Sequence, residues 1–452
     1  MSQWKKVRIG DICKIVKGTT GIASAEPGQY PLVVTAEERK TCSSYQFDCE
    51  AVCIPLVSSS GHGKKSLKNV HYQSGKFALG TILCAVIPNN PDELDARFLH
   101  QYLQFYKDTV LVPLMKGAAN VSLSMKDIST VEFPLPPIEK QRELSNLFIT
   151  LQESQKKLTA ETEQQLEYTK LLRQNILQDA IEGKLTAKWR KSHPVIKGNP
   201  DYDAEALFEK IQKGEVSPSL QPDKPSSATP SAGSNAARNT RSKKLSPITD
   251  EEKPFEIPEE WKWIRLGEIV SILGDGIHGT PEYDSKGDYY FINGNNLKDG
   301  HIIIKEGTKR VNASQYEKYK KELNNNTIFV SINGTLGNLA FYNGEKIIFG
   351  KSACYFNLFL EEMKLYIYYF LQTDFFIQYA TDKASLTTIY NVSLAAMRNL
   401  LISLPPLKEQ EEIVKKVESL LAKVTELENQ IQERKTLSEK LAFGIIKERL
   451  EG

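Results

Sequence analysis

Two long stretches of the chain place apolar side chains at alternating steps of four and three. Ile413, Val417, Leu420, Val424, Leu427 and Ile431 form one seam. Leu144, Phe148, Leu151, Leu158, Leu172 and Ile176 follow the same frame, with Gln155, Thr162, Gln165 and Thr169 filling the seam between them. That spacing keeps one face of a helix apolar and predicts two long helices, over 135–185 and 404–452, each of about 45 residues and roughly 65 Å. A helix of that length cannot bury its stripe on itself, and the nearest partner is the other helix, giving an intramolecular two-helix coiled coil. The polar seam residues would select register at some cost in stability.

Ahead of each helix the pattern changes to short β-branched and aromatic runs divided by Gly, Asn and Asp. VVTAEE, AVCIPLV and TILCAVI occur in the first half, and IVSIL, YYFIN, HIIIK, TIFVSIN and KIIFG in the second. Shorter helical patterns follow at ARFLHQYLQFYK and LYIYYFLQTDFF. The two halves also repeat in words. WKKVRIGDI at 4–12 is answered by WKWIRLGEI at 261–269, NVSL at 120–123 by NVSL at 391–394, and LPPIEKQ at 135–141 by LPPLKEQ at 404–410. The order holds while the offset drifts from 257 to 271, as expected of one unit duplicated and then altered in its loops. The period is too long for a solenoid.

Composition adds little to this picture. The 452 residues are 40% hydrophobic and 25% charged, enough for more than one core. The net charge of +2 predicts no nucleic-acid partner by itself; the helical segments 139–183 and 407–452 sum to −3, so the remainder carries +5. No run of 18 apolar residues and no signal-like N-terminus occurs, which reads as cytoplasmic with no membrane partner. The six cysteines, 13, 42, 49, 53, 84 and 354, match no paired spacing and read as buried free thiols. Between the halves, 186–216 reads as a short helical extension and 217–257 as a Ser/Pro-rich flexible linker.

Motifs for catalysis fail on inspection. GDGIHG at 274–279 spells GxGxxG, but Thr280-Pro281-Glu282-Tyr283-Asp284 follows, which is turn chemistry where a dinucleotide site needs a helix. GEKIIFGKS at 344–352 resembles a phosphate loop with one residue too many and reads as a β-hairpin loop. There is no HExxH, no GxSxG, no NPPY-like segment and no histidine pair at metal-binding spacing. A recognition role with no cofactor bound by this chain is the expectation.

Two diverged copies, each followed by a long helix opened by LPPxxxQ, resemble the specificity subunit of type I restriction–modification enzymes. The paired LPP and NVSL segments, GDGIHGTPEYD, INGNNLKDG, SINGTLGN and GKLTAKWR carry the resemblance, which spans nearly the whole chain. It implies an α+β chain: a first target recognition domain at 1–134, the first long helix at 135–185, a second recognition domain at 258–403 and the second long helix at 404–452. It also implies that the helices pair as an antiparallel coiled coil. Each recognition domain would read one half of a bipartite, asymmetric double-stranded DNA target. Two methyltransferase subunits carrying S-adenosylmethionine would dock on the helices, and restriction subunits would add ATP- and Mg-dependent translocation and cleavage. The rival is a stand-alone coiled-coil DNA-binding or architectural protein.

Asn and Gln suit adenine, Arg and Lys suit guanine, and Ser, Thr and Lys hold phosphates. On that basis the candidate DNA contacts of the first copy are Ser60, His62, Lys64, Lys65, Lys68, Lys116 and Asn120. Those of the second are Asn293, Asn295, Asn296, Lys298, Asn333 and Lys383. Asn120 and Asn391 share the repeated NVSL and have a structural reading as well. The first copy has no counterpart to GDGIHGTP in its sequence, which leaves its competence open.

Overall fold

The computed structural model describes residues 4–60, 63–214, 245–385 and 390–451. His62 and most of the expected linker, to residue 244, lie outside them. The chain forms two compact units, residues 1–165 with 430–452, and residues 166–429. The long helices run Ile138–Ile181 and Leu407–Glu451. None of the described helices is long and apolar enough to cross a membrane. All six cysteines are free thiols, five of them buried.

Each copy is closed by the very segments that repeat. Lys5–Arg8 pairs antiparallel with Glu132–Leu135, setting Lys5 opposite Leu135. Lys262–Arg265 pairs with Leu401–Leu404 in the same register, Lys262 opposite Leu404. The repeated glycine after these strands has one cause in both copies. A Cβ on Gly10 would lie 2.9 Å from Ser129 Cβ, and one on Gly267 would lie 2.5 Å from Arg398 Cγ. Only the smallest residue lets the strand end approach the helices Met125–Ser129 and Leu394–Asn399.

Between its closing strands each copy carries a four-stranded sheet of matching topology and a second sheet, of four strands in the first copy and three in the second. In the first, the four-stranded sheet orders Cys13–Lys17, Leu83–Pro88, Ala51–Pro55 and His71–Gln73. In the second, the order is Val270–Asp275, Ala353–Leu358, Thr327–Ser331 and Leu339–Phe341. The second sheet contains a parallel pair in both, Tyr30–Val33 with Lys76–Leu79 and Tyr289–Ile292 with Ile347–Phe349. The second copy adds the two-stranded ribbon Leu297–Lys298 with His301–Ile302 and the helix Ala313–Tyr319. Central strands are buried on both faces, hence the continuous apolar runs AVCIP and ACYFNL.

Two expectations fail here. The loop GEKIIFGKS is not a hairpin: Ile347–Phe349 pairs in parallel with Tyr289–Ile292, while Ala353–Leu358 belongs to the other sheet. The NVSL match lies two residues out of structural register. Ser124 and Ser393, at the 269 offset of LPP, are the equivalent N-caps, accepting from Asp127 N and Ala396 N.

Of the expected seam residues, Leu144, Phe148, Ile176, Ile413, Val417, Val424 and Ile431 are buried, and Leu151, Leu158 and Leu420 are half-buried; Leu144 and Phe148 pack in the core of the first copy. Thr162 and Thr169 are buried seam residues. Leu172 and Leu427 are corrected: each is 43% exposed. In their place Arg173 donates to Glu428 through Nε (3.0 Å) and Nη2 (2.7 Å), and to Thr425 Oγ1 (2.7 Å). An α-helix drifts ~20° per heptad against a 3.5-residue repeat, so a step of four, from Thr169 to Arg173, brings the charged pair inward. In the other unit Gln155 Nε2 donates to Ser438 O and Oγ at 2.9 Å, and Arg434 to Gln165 Oε1 at 2.8 Å.

Candidate nucleic-acid interface

At one end of each four-stranded sheet, loops from distant parts of the copy converge on a tight turn. Strand Cys13–Lys17 enters Gly18, where a Cβ would lie 2.2 Å from Gly80 O; strand Val270–Asp275 enters Gly276, 2.3 Å from Gly350 O by the same measure. Thr20 then bridges Gly80 in parallel, as Ile277 bridges Gly350. The segment KGTTG at 17–21 is thus the counterpart of DGIHG at 275–279, and the first copy does not lack this feature. Two glycines are shared, Gly18 with Gly276 and Gly21 with Gly279, and of these the first pair meets the common backbone contact. No helix follows Gly276 among the described residues, so the loop offers no helix N-terminus to a dinucleotide.

In the first copy the serines of SSSG staple their own loop. Ser58 Oγ donates to Lys64 O (2.5 Å), Ser60 Oγ meets Ser66 Oγ (2.7 Å), and Lys68 N donates to Ser59 Oγ (2.9 Å). Ser60 is therefore a positioning residue, while Lys64, Lys65 and Lys68 are exposed. Next to this loop, Lys116 and Ser122 exchange two backbone hydrogen bonds of 2.8 Å, leaving Asn120 exposed in the hairpin. A Cβ on Gly63 would lie 2.5 Å from Ala118 O, so the loop touches the hairpin. The Lys116 ammonium is held by Asp127 at 3.0 Å. Ser124 and Lys116 together keep the Asp127 carboxyl below the usual carboxylate range.

In the second copy several candidate asparagines are likewise structural. Asn296 accepts from Asn293 N (3.0 Å) and donates to Ile303 O (2.9 Å). Asn293 Oδ1 accepts from Ser352 Oγ (3.3 Å). Asn333 Nδ2 donates to Asn391 Oδ1 (3.2 Å), tying SINGTLGN to the segment before the last short helix. Asn295, Lys298 and Lys383 are exposed. Ser385 N donates to Asn391 O at 3.1 Å, so Ser385 faces Asn391 as Lys116 faces Ser122. His278, missed by sequence reasoning, is exposed and lies 2.6 Å from Asp275. Thr81 and Lys351, which are not among the candidates read from the sequence, are exposed on the turns that follow Gly80 and Gly350. The shared Gly-x-x-x-Cys, Gly80 to Cys84 and Gly350 to Cys354, is the sequence signal that marks them.

A second polar cluster anchors the connector to the base of the second copy. Glu409 is buried and accepts from Thr186 Oγ1 (2.6 Å), Trp261 Nε1 (2.8 Å) and the Arg190 guanidinium. Burial pushes the Glu409 carboxyl up, opposed by these donors. Leu407 N and Lys408 N, free at the start of a helix, donate to Pro200 O and Asp201 O. GKLTAKWR thus acts as a clamp on the second junction.

The model of the type I restriction modification DNA specificity domain matches residues 1–168 and 258–434, one stretch for each copy. The chain is similar to the type I restriction enzyme EcoDI specificity subunit of Escherichia coli, 23% identical over 446 residues, spanning 95% of this chain and 83% of that one. The EcoAI specificity subunit of Escherichia coli is 28% identical over 217 residues, 45% of this chain and 36% of its own length. Among solved structures, a chain from work on complex assembly and conformational transition of the type I R-M system superposes with a TM-score of 0.62 at 16% identity. That superposition covers 99% of this chain and 98% of that one, a likeness of fold. The chain belongs to the type I restriction–modification DNA specificity family.

Proposed function

We propose that the chain is the DNA-reading, non-catalytic subunit of a cytoplasmic type I restriction–modification complex. Each copy reads one half of a bipartite, asymmetric double-stranded target. The long helices pair as an antiparallel coiled coil that carries two methyltransferase subunits, and restriction subunits complete the assembly. Methyl transfer from S-adenosylmethionine to adenine and ATP- and Mg-dependent restriction belong to those partners. The observation that carries the reading is the duplication of a backbone scaffold whose converging loops differ in side chain. Pseudo-twofold readers suit half-sites on successive major grooves about 34 Å apart. The exposed Tyr168, Leu171, Leu172 and Leu427 supply apolar surface on the long helices for the docked subunits.

Long-read sequencing of adenine methylation in a host with this gene intact or deleted tests the reading. One bipartite motif should lose methylation on both strands when the gene is deleted. An otherwise methylating host in which no motif changes would overturn the proposal.

A further inference from the structure

The two copies build one turn and load it differently. Gly80 N donates to Val33 O at 3.0 Å, and Gly350 N to Ile292 O at 2.9 Å. Thr81 N reaches Thr20 O at 3.1 Å, and Lys351 N reaches Ile277 O at 3.0 Å. Leu83 N returns to Gly80 O at 3.0 Å, and Ala353 N to Gly350 O at 3.2 Å. The backbone is thereby locked in the same way twice. The residue it displays is exposed in both copies, a threonine in one and a lysine in the other. In the second copy Ser352 ties the turn to its neighbours: Oγ accepts from Gly294 N (2.9 Å) and donates to Asn293, and Ile332 N donates to Ser352 O (3.0 Å). Lys351 thus stands where the Asn293 and SINGTLGN segments meet. A side chain on a preorganised backbone loses little freedom on binding, and a difference between copies is what two unlike half-sites require.

We infer that Thr81 and Lys351 are equivalent base-reading positions, one for each half-site, and that Lys351 selects a guanine. This deepens the recognition reading above and rests on it. The lysine ammonium is a donor for guanine O6 and N7, acceptors that no other base pair presents together in the major groove. Threonine at the same place donates, accepts or packs its methyl on thymine.

The test expresses the chain with its methylating partner and reads the methylated motif by long-read sequencing for the natural chain, Lys351→Gln and Thr81→Lys. In both variants the locking bonds are main-chain, so the turn persists. Lys351→Gln should move the preference at a single base pair of one half-site from guanine toward adenine, with about a tenfold fall in discrimination for guanine and the other half-site unchanged. Thr81→Lys should add a guanine preference at one position of the opposite half-site. Uniform loss of methylation at all targets would mark Lys351 as a phosphate contact and overturn the inference, as would unchanged motifs or both variants altering the same half-site. If the natural complex methylates no bipartite motif, the recognition reading fails first and the inference falls with it.

Discussion

At the foot of each long helix the two copies use the same phrase to different depths. In LPPIEKQ, Gln141 Nε2 turns back to Pro136 O at 2.8 Å; in LPPLKEQ, Gln410 Nε2 turns back to Pro405 O at 2.9 Å. That shared bond satisfies a carbonyl at the strand-to-helix corner and explains why proline and glutamine repeat together. One residue earlier the copies part. Lys140 is partly exposed and pairs with Glu143 three residues on, whereas Glu409 is sealed beneath Thr186, Arg190 and Trp261. What is common closes the domain, and what differs attaches each domain to its own surroundings.

The largest test of this contrast removes the two side chains. Glu409→Ala should lower unfolding free energy by about 4 kcal/mol, because it strands a largely buried guanidinium together with the Thr186 and Trp261 donors. Lys140→Ala should cost no more than about 0.5 kcal/mol, the scale of a surface ion pair. Urea denaturation of both variants measures the difference. Comparable losses would mean that the second junction is no more tightly held than the first.

Acid gives the next largest effect and separates the copies again. His71 is buried on the strand that Arg39 clamps, its Nδ1 accepting from Arg39 Nη1 at 3.2 Å; the equivalent position in the second copy is Ala340. Burial, then the charges of Arg39 and His100, push the His71 imidazole down to about 4 from its usual 6.5. The unfolded chain therefore takes up the proton first as pH falls. The stabilising contribution is complete above pH 6.5, is lost as pH falls toward 4 and amounts to about 3 kcal/mol. In His71→Ala that slope should vanish, which thermal melts from pH 7 to 4 against the natural chain would reveal. Parallel curves would assign the acid sensitivity elsewhere.

These contrasts also show what was legible in the sequence. The duplication, the strand-closing segments and the long helices are written in local pattern, because LPPxxxQ and WxxxRxG meet requirements of backbone geometry that recur in both copies. The interface was less legible for three physical reasons. Asparagines such as Asn293 and Asn296, chosen for their affinity for adenine, bond the main chain that shapes their loop. Leu172 and Leu427 fit a 3.5-residue repeat that the helices leave by one position. The turn bearing Thr81 and Lys351 is specified by contacts between strands far apart in sequence, with only the shared Gly-x-x-x-Cys, Gly80 to Cys84 and Gly350 to Cys354, as a local trace.

The smallest of the tests concerns the glutamine that the copies share. Gln141 makes three hydrogen bonds: Oε1 accepts from Asp95 N (2.9 Å), and Nε2 donates to Glu93 O (2.9 Å) and Pro136 O. It thereby fastens the first long helix to the cap of the helix Ala96–Val110. Gln410, equally buried, keeps only the bond to Pro405 O, and its Oε1 meets no donor among the described residues. Methionine fills nearly the same volume without either polar group. Gln141→Met leaves an amide N–H and two carbonyls unmatched and should cost about 2 kcal/mol. Gln410→Met strands one carbonyl but also removes a buried oxygen that has no partner, so its cost should be about 1 kcal/mol or less. If chemical denaturation finds the two equal, the repeated glutamine does only its shared work at the proline corner, and its bonds to Glu93 and Asp95 add nothing to the first copy's stability.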